Sequence, residues 1–271
     1  LISGALGAEI SGLDLKDSSE ENWNVINQLL LEHKVLFFRN QNISAEEQIN
    51  FAKRFGPLEK HVYVKGRDQY PEIIRIIKKP DEKQQWGETW HTDVSYNPKP
   101  TKVIILRSIK IPPVGGDTMF SNMELAYETL DNDLKEKIKD KKAVHSSLGA
   151  AAFVDAYKGM EGNGNLDEYS NIHPIVRTHP ETGKKILYVN SMYTKRIEGL
   201  DESESSKLLK ELFAHQERLD LTCRFKWTEN AVAIWDNRST QHQGLTDFFP
   251  GRGLGHERVM DRIAIEGDQP I

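Results

Sequence analysis

Hydrophobic positions along this chain of 271 residues recur with two periods. Short runs rich in Val, Ile, Phe and Trp at 35–39, 72–77, 102–110, 172–178, 186–190, 221–227, 231–236 and 259–266 have the length and composition of strands. Two other stretches have helical spacing. Ser44-Ala45-Glu46-Glu47 is a capping box, and Ile49, Phe51, Ala52 and Phe55 behind it form one apolar face that ends at Gly56-Pro57. Asp201-Glu202-Ser203-Glu204 opens a second helix with Leu208, Leu209, Leu212 and Phe213 on its inner side. The strands do not alternate regularly with helices, which argues against a doubly wound parallel sheet. The pattern predicts a mainly β fold with peripheral helices, a sandwich or barrel. No repeat, low-complexity segment or linker divides the chain, so 1–271 reads as a single domain. The stretch 145–170 follows neither period. It is rich in Gly, Ala and Asn, and it is predicted to be a mobile lid or binding loop, with a plain surface insertion as the equal alternative.

Composition narrows the function classes. A formal net charge of -5 without a local Lys/Arg run leaves no electrostatic footprint for nucleic acid. No apolar stretch reaches the length of a membrane span, so no membrane partner is expected. The single cysteine, Cys223, lies inside a strand-like run and reads as a packed core thiol rather than a nucleophile. It allows no intramolecular disulfide, and a reducing, cytoplasmic compartment is the expectation. The chain starts at Leu1 rather than Met, so a few preceding residues are expected.

The candidate chemistry begins at Trp90-His91-Thr92-Asp93. If this is a strand, His91 and Asp93 project from one face about 7 Å apart. A second imidazole, His242, follows in Thr240-Gln241-His242, about 150 residues downstream, a separation that Greek-key crossings readily close. Two imidazoles and a carboxylate on one face of an octahedral ion leave positions open, the arrangement expected of non-haem Fe(II) oxygenases. Beyond His242, Arg258 and Arg262 stand four apart in a strand and face the same way. If buried, they need anions, either ligands or structural carboxylates such as Asp236 or Asp247. Gly115-Gly116-Asp117-Thr118 is a turn signal whose Thr118 hydroxyl is a further candidate contact.

Taken together, Trp90-His91-Thr92-Asp93-Val94, Gly115-Gly116-Asp117-Thr118, 173–180, Trp235-Asp236-Asn237-Arg238-Ser239-Thr240-Gln241-His242 and Arg258-Val259-Met260-Asp261-Arg262 resemble the taurine dioxygenase family of Fe(II)- and 2-oxoglutarate-dependent oxygenases. The motifs stand in family order, and the likeness extends from Gly7-Ala8-Glu9-Ile10 to Gly267-Asp268. The resemblance implies a double-stranded β-helix, the cupin-like jelly roll. It implies Fe(II) on His91, Asp93 and His242, and the distal carboxylate of 2-oxoglutarate on Arg258 and Thr118. His61 and Arg262 would face a small anionic substrate. With O2 as co-substrate, such an enzyme hydroxylates an organosulfonate such as taurine at the carbon bearing sulfur and releases sulfite, aldehyde, succinate and CO2. A homo-oligomer, dimer or tetramer, is also implied.

Two departures bear on the substrate. Where relatives place a Tyr after the substrate-facing histidine and an Asn before the His-x-Asp, this chain has Val64 and Gly87, which leaves room for a larger or more apolar molecule than taurine. The loop 247–257 is longer than is usual for the family, and a shift of register would offer Arg252 in place of Arg258. An alkylsulfate or phenoxyalkanoate dioxygenase therefore stands beside the sulfonate reading. A non-catalytic metal-binding jelly roll and a zinc hydrolase are the alternatives from other classes, the latter without an evident general base. Among the other histidines, His33, His179 and His215 read as surface or structural residues, and His145 as a substrate-contact candidate at the mouth of the lid. Trp86 and Phe153 could wall a pocket but read more simply as core.

Overall fold

The computed structural model describes residues 1–17, 19–157 and 159–271, without the side chains of Asp155 and Ala156. In chain order the first strands are β1 (Ala8–Ile10), β2 (Val35–Phe38), β3 (Ile74–Lys78), β4 (Val103–Lys110), β5 (Thr118–Asn122), β6 (Lys142–Ser146) and β7 (Ser170–Pro174). They continue with β8 (Val176–Thr178), β9 (Lys185–Leu187), β10 (Thr194–Ile197), β11 (Thr222–Phe225), β12 (Val232–Asp236), β13 (Thr240–Gly244) and β14 (Arg258–Ile265). The helices are α1 (Glu20–His33), α2 (Ala45–Ala52), α3 (Met123–Glu128), α4 (Asn132–Ile138), α5 (Ala150–Ala156) and α6 (Glu202–Gln216).

A six-stranded sheet in the order β1-β2-β12-β4-β14-β3 forms one wall, and β11-β5-β13 forms a smaller one. Phe37, Ile104, Leu106, Trp235 and Met260 from the first wall pack with Phe120, Cys223 and Phe225 from the second, closing one core between them. The outer face of the large sheet is covered by helices. Ile26 and Leu30 of α1, with Ile49, Phe51 and Ala52 of α2, bury Leu36, Ile105, Ile234 and Ile263. The capping box at α2 is present in full: Ser44 accepts from the Glu47 amide, and Glu47 accepts from the Ser44 amide. A third core joins α3, α4 and α6 to β9. The result is a β-rich mixed fold with helices at its periphery. Cys223 is buried, as expected, and burial pushes its thiol up to about 12.

Three local expectations need correction. The run 172–178 is two strands, because buried Ile175 takes the chain from the sheet β10-β6-β7 to the pair β8-β9. The stretch 145–170 is not irregular throughout: His145 and Ser146 end β6, and 150–156 form α5. Its later part is tied to the segment around His61. Lys65 donates to Glu161, the Asn163 amide to Tyr63, and the Asn165 side chain to Val62. Finally, His145 is fully buried against Ser95 and Tyr188, not at the mouth of a lid; His179, buried against Asp236, has the structural place that was one of its two expected readings.

Candidate metal centre

His242 lies in the middle of β13, paired with Phe120 of β5. On its other edge it exchanges both backbone hydrogen bonds with His91: His91 N–H donates to His242 C=O at 3.1 Å, and His242 N–H to His91 C=O at 2.9 Å. This reciprocal pairing sets the two imidazoles side by side, with ring centroids 4.2 Å apart. Asp93 arrives differently from the strand premise. His91 is an isolated bridge residue, Asp93 already lies in a turn, and Val94 has φ +45°. The turn carries the carboxylate back towards the rings, with Oδ1 3.4 Å from His91 Nε2 and Oδ2 3.7 Å from His242 Nε2. One ligand atom from each of the three residues lies within 4.8 Å of the other two.

The electrostatics favour a bound cation. Burial presses His242 down to about 3, with His91 beside it adding to the effect, so the ring is neutral and can donate a lone pair. Burial would raise Asp93, but Arg262, the His91 contact and His242 outweigh it and hold the carboxyl well below the usual range. His91 Nδ1 lies 2.7 Å from the Thr89 carbonyl, which can only accept, so Nδ1 carries the proton and Nε2 is free to ligate. Asp93 Oδ2 and His242 Nδ1 are buried without a hydrogen-bond partner. Two imidazoles, one ionised carboxylate and polar atoms without hydrogen-bond partners make a donor set that fits a divalent ion with open positions.

Arg258, Met260 and Arg262 face inward from β14, as the i, i+4 spacing predicts, and both arginines are buried. Arg262 reaches Asp93 Oδ2 at 3.3 Å. Among the described residues Arg258 meets no carboxylate: its Nε has no hydrogen-bond partner there, and burial lowers its pKa to about 10. The structural carboxylates that could have neutralised it are taken elsewhere. Asp236 binds Arg238 and His179, while Asp247 binds Arg224 and the Gly116 amide. The Gly115-Gly116 turn is obligatory here: both residues have positive φ, and a Cβ on Gly115 would sit 2.8 Å from Asp247 Oδ1. Arg252 is exposed, so the long loop leaves Arg258 in place.

Thr118 accepts a hydrogen bond from Trp227 Nε1 at 3.0 Å, and Trp227 also lies 5.9 Å from the Arg258 guanidinium. Thr118, Arg258, Arg262, His91, Asp93 and His242 line one cavity of about 50 Å³. His61 and Arg262 meet in a smaller one beside Val64 and Trp86. His61 is half-buried; burial, then the Arg262 charge, presses it down to about 3, and its Nδ1 accepts from the Tyr63 and Val64 amides. The structure thus brings all seven sequence candidates to one end of the core between the two sheets.

A family model, Taurine catabolism dioxygenase TauD, TfdA family, matches residues 2–263. The chain belongs to the TauD/TfdA family of Fe(II)/2-oxoglutarate-dependent dioxygenases. Within the family it is 37% identical to an alkylsulfatase of Acinetobacter baylyi, over 98% of this chain and 84% of that one. It is 33% identical to an alpha-ketoglutarate-dependent sulfate ester dioxygenase of Pseudomonas putida, over 100% and 89%. It superposes on the crystal structure of a taurine dioxygenase from Burkholderia xenovorans with a TM-score of 0.83 at 34% identity, covering 100% and 90%.

The sequence reading missed the wall of a larger cavity, about 370 Å³, which adjoins the family's metal-site motif. Gln85, Trp86, Gly87 and His91 border both cavities; the rest of the larger one has an apolar side that includes Leu148, Phe153, Met192 and Tyr193 and a polar side of Gln84, Glu88 and Thr89. Trp86 and Phe153, 5.5 Å apart, both line the larger cavity, while Tyr157, 6.4 Å from Trp86, is buried behind them. Gly87 keeps the boundary open, because a Cβ there would stand 3.0 Å from His91 Cε1. The composition of 145–170 gave a signal for a binding segment but not for which residues face the site.

Proposed function

We propose that this enzyme oxidises an alkyl sulfate ester at the carbon bearing the ester oxygen. Fe(II) is assigned to His91, Asp93 and His242, the distal carboxylate of 2-oxoglutarate to Arg258 and Thr118, and the sulfate group to His61 and Arg262. The observation that carries the co-substrate assignment is the buried Arg258, which pairs with no carboxylate among the described residues. Its planar fork suits a carboxylate, and the Thr118 hydroxyl, positioned by Trp227, supplies a further contact. The sulfate-ester assignment rests on the apolar side of the larger cavity, Trp86, Phe153, Leu148 and Tyr193, which suits a hydrocarbon chain better than a short polar amine. The two curated relatives named for sulfate esters support it. The long six-stranded wall, the smaller wall and the enclosed core are consistent with a jelly roll.

Bound iron and 2-oxoglutarate supply the oxidation of a C–H bond by O2, coupled to decarboxylation of 2-oxoglutarate to succinate and CO2. The chain's residues do the rest. Thr89 fixes the His91 tautomer, Arg258 orients the co-substrate, and Arg262 orients the ester head. Trp86, Leu148, Phe153 and Tyr193 keep water from the reacting carbon. A hydroxyl on the carbon bearing the ester oxygen makes an unstable adduct. Its C–O bond to sulfate breaks with loss of the hydroxyl proton, leaving an aldehyde and hydrogen sulfate.

A second reading, an organosulfonate such as taurine releasing sulfite, uses the same Arg262 and His61 contacts and is favoured by the similarity to the Burkholderia structure. The test is succinate formation by Fe(II)-loaded protein with 2-oxoglutarate and O2 over linear alkyl sulfates, alkanesulfonates, taurine and phenoxyacetates. Stimulation by alkyl sulfates with inorganic sulfate and aldehyde in equal amounts is expected. Sulfite from a sulfonate, or a phenol from a phenoxyacetate, with alkyl sulfates inert, would replace this reading by the corresponding one.

A further inference from the structure

We propose that Asn237 is a positioning residue for the metal centre, holding the Asp93 carboxylate where it can ligate. The proposal rests on the assignment of His91, Asp93 and His242 as ligands. His91 and His242 are fixed by ladder hydrogen bonds, whereas Asp93 lies in a turn next to Val94 at positive φ and has no strand partner. Something else must fix it, and the buried Asn237 carboxamide makes the contacts that a ladder would. Its Oδ1 accepts from the Asp93 N–H at 3.1 Å, and its Nδ2 donates to the Asp93 C=O at 3.3 Å and the Thr101 C=O at 2.9 Å.

The amide orientation follows from these partners, since two carbonyls can face only the NH2 end and an N–H only the oxygen. All three hydrogen-bonding directions used are satisfied at a site with no solvent exposure. Asn237 is itself anchored, its backbone N–H donating to Lys102 C=O at 3.0 Å. Thr101 is also held, through its hydroxyl on the Glu59 carboxyl.

The location adds a second function to this clamp. Asn237 sits in the connection between β12 and β13, and β13 carries His242. One side chain therefore ties the turn bearing Asp93 to the connection that leads into the strand bearing His242. The Thr92 hydroxyl, donating to Thr240 C=O at 3.2 Å, ties the same two segments on the other side of the turn. No other residue type reproduces the clamp in this space. Asp would set a carboxylate against two carbonyls, and Leu would leave three buried backbone groups without partners.

The test titrates apo wild type, Asn237→Asp and Asn237→Ser anaerobically with Fe(II) alone by calorimetry, with the visible spectrum of Co(II)-substituted protein as a second readout. Loss of an outer partner of a metal ligand typically weakens metal binding by about 10- to 100-fold. We expect Kd for Fe(II) to rise by that factor in both variants, with an altered Co(II) spectrum. Asn237→Ser changes no charge and carries the test if Asn237→Asp fails to fold. A lower Tm with unchanged Fe(II) affinity and an unchanged Co(II) spectrum would make Asn237 merely structural and overturn the proposal. His91→Ala is the reference: if wild type binds Fe(II) no more tightly than that variant, the metal assignment itself fails.

Discussion

Two collections of buried charge flank the connection between β12 and β13, which lie in different sheets, and they are built on opposite principles. At the end of β12, Asp236 binds Arg238 through two hydrogen bonds to its guanidinium and also meets His179; Arg238 further reaches Glu181. Burial there opposes both charges, yet their mutual attraction holds Asp236 well below the usual carboxylate range and raises Arg238. At the metal centre, by contrast, Asp93 Oδ2 has only the Arg262 guanidinium, at 3.3 Å, as a charged partner, His242 Nδ1 and Arg258 Nε are left without hydrogen-bond partners among the described residues, and burial lowers Arg258. The first cluster is complete as protein. The second is completed only by ligands, and that difference, more than burial or charge alone, marks where the chemistry is.

The comparison can be broken most decisively by removing metal ligands. His91→Ala or Asp93→Ala is expected to reduce succinate formation to background; Tm should change little in His91→Ala, whereas Asp93→Ala also leaves the buried Arg262 without its carboxylate and lowers Tm. Retained wild-type turnover would refute the metal assignment. Next come the two arginines. Arg238→Leu strands Asp236 in the core and should cost about 3–5 kcal/mol, read as a Tm lower by roughly 10 °C. Arg258→Leu should leave apo Tm unchanged or higher while raising KM for 2-oxoglutarate by about 10²- to 10³-fold, the scale of losing one side of a buried charge contact. Equal Tm losses in both variants would erase the distinction.

A smaller effect sharpens the same contrast. With Mn(II) present, 2-oxoglutarate at about 100 times its Kd should add about 2.7 kcal/mol to wild-type stability by mass action. The same concentration should add almost nothing to Arg258→Leu. A Tm rise of equal size in both, followed by thermal shift, would place the co-substrate somewhere other than Arg258.

How far these features can be read in the sequence depends on what fixes each residue. The metal ligands are legible because few residue types bind iron, and the inward pairing of Arg258 and Arg262 because strand periodicity is rigid. The route by which Asp93 reaches the site is not: a His-x-Asp in a strand and one at a bridge followed by a turn have the same letters. Strands β5 and β13 escaped hydrophobic patterning because Thr118–Asn122 and Thr240–Gly244 carry mostly polar or small residues that serve the site and its neighbours. Helix α1 did leave a signal, the Ser19 cap with Glu20, Glu21, Ile26 and Leu30, which the strand-centred reading passed over. Phe153 could not be assigned to the cavity wall from composition, since its role depends on the packing of α5 against Trp86.

His145 adds a third way of handling a buried ionisable group, which is to discharge it. It has no exposure, rests on Tyr188 and the edge of His173, and lies 3.0 Å from the Ser95 hydroxyl, with Thr194 also facing it. Burial first, and His173 second, press it down to about 3. Unfolded, it titrates near 6.5, so between about 6.5 and 3 the unfolded chain binds a proton that the native state refuses. Its stabilising contribution is complete above the unfolded value and is lost as pH falls, by at most about 1.4 kcal/mol per pH unit. His145→Gln has a fixed packing cost at neutral pH but lacks this slope. Urea unfolding at stepped pH should therefore show the deficit of His145→Gln shrinking between about pH 6 and 4. A deficit that stays constant across that range would mean the ring takes up its proton equally in both states, and that burial here does not exclude the charge.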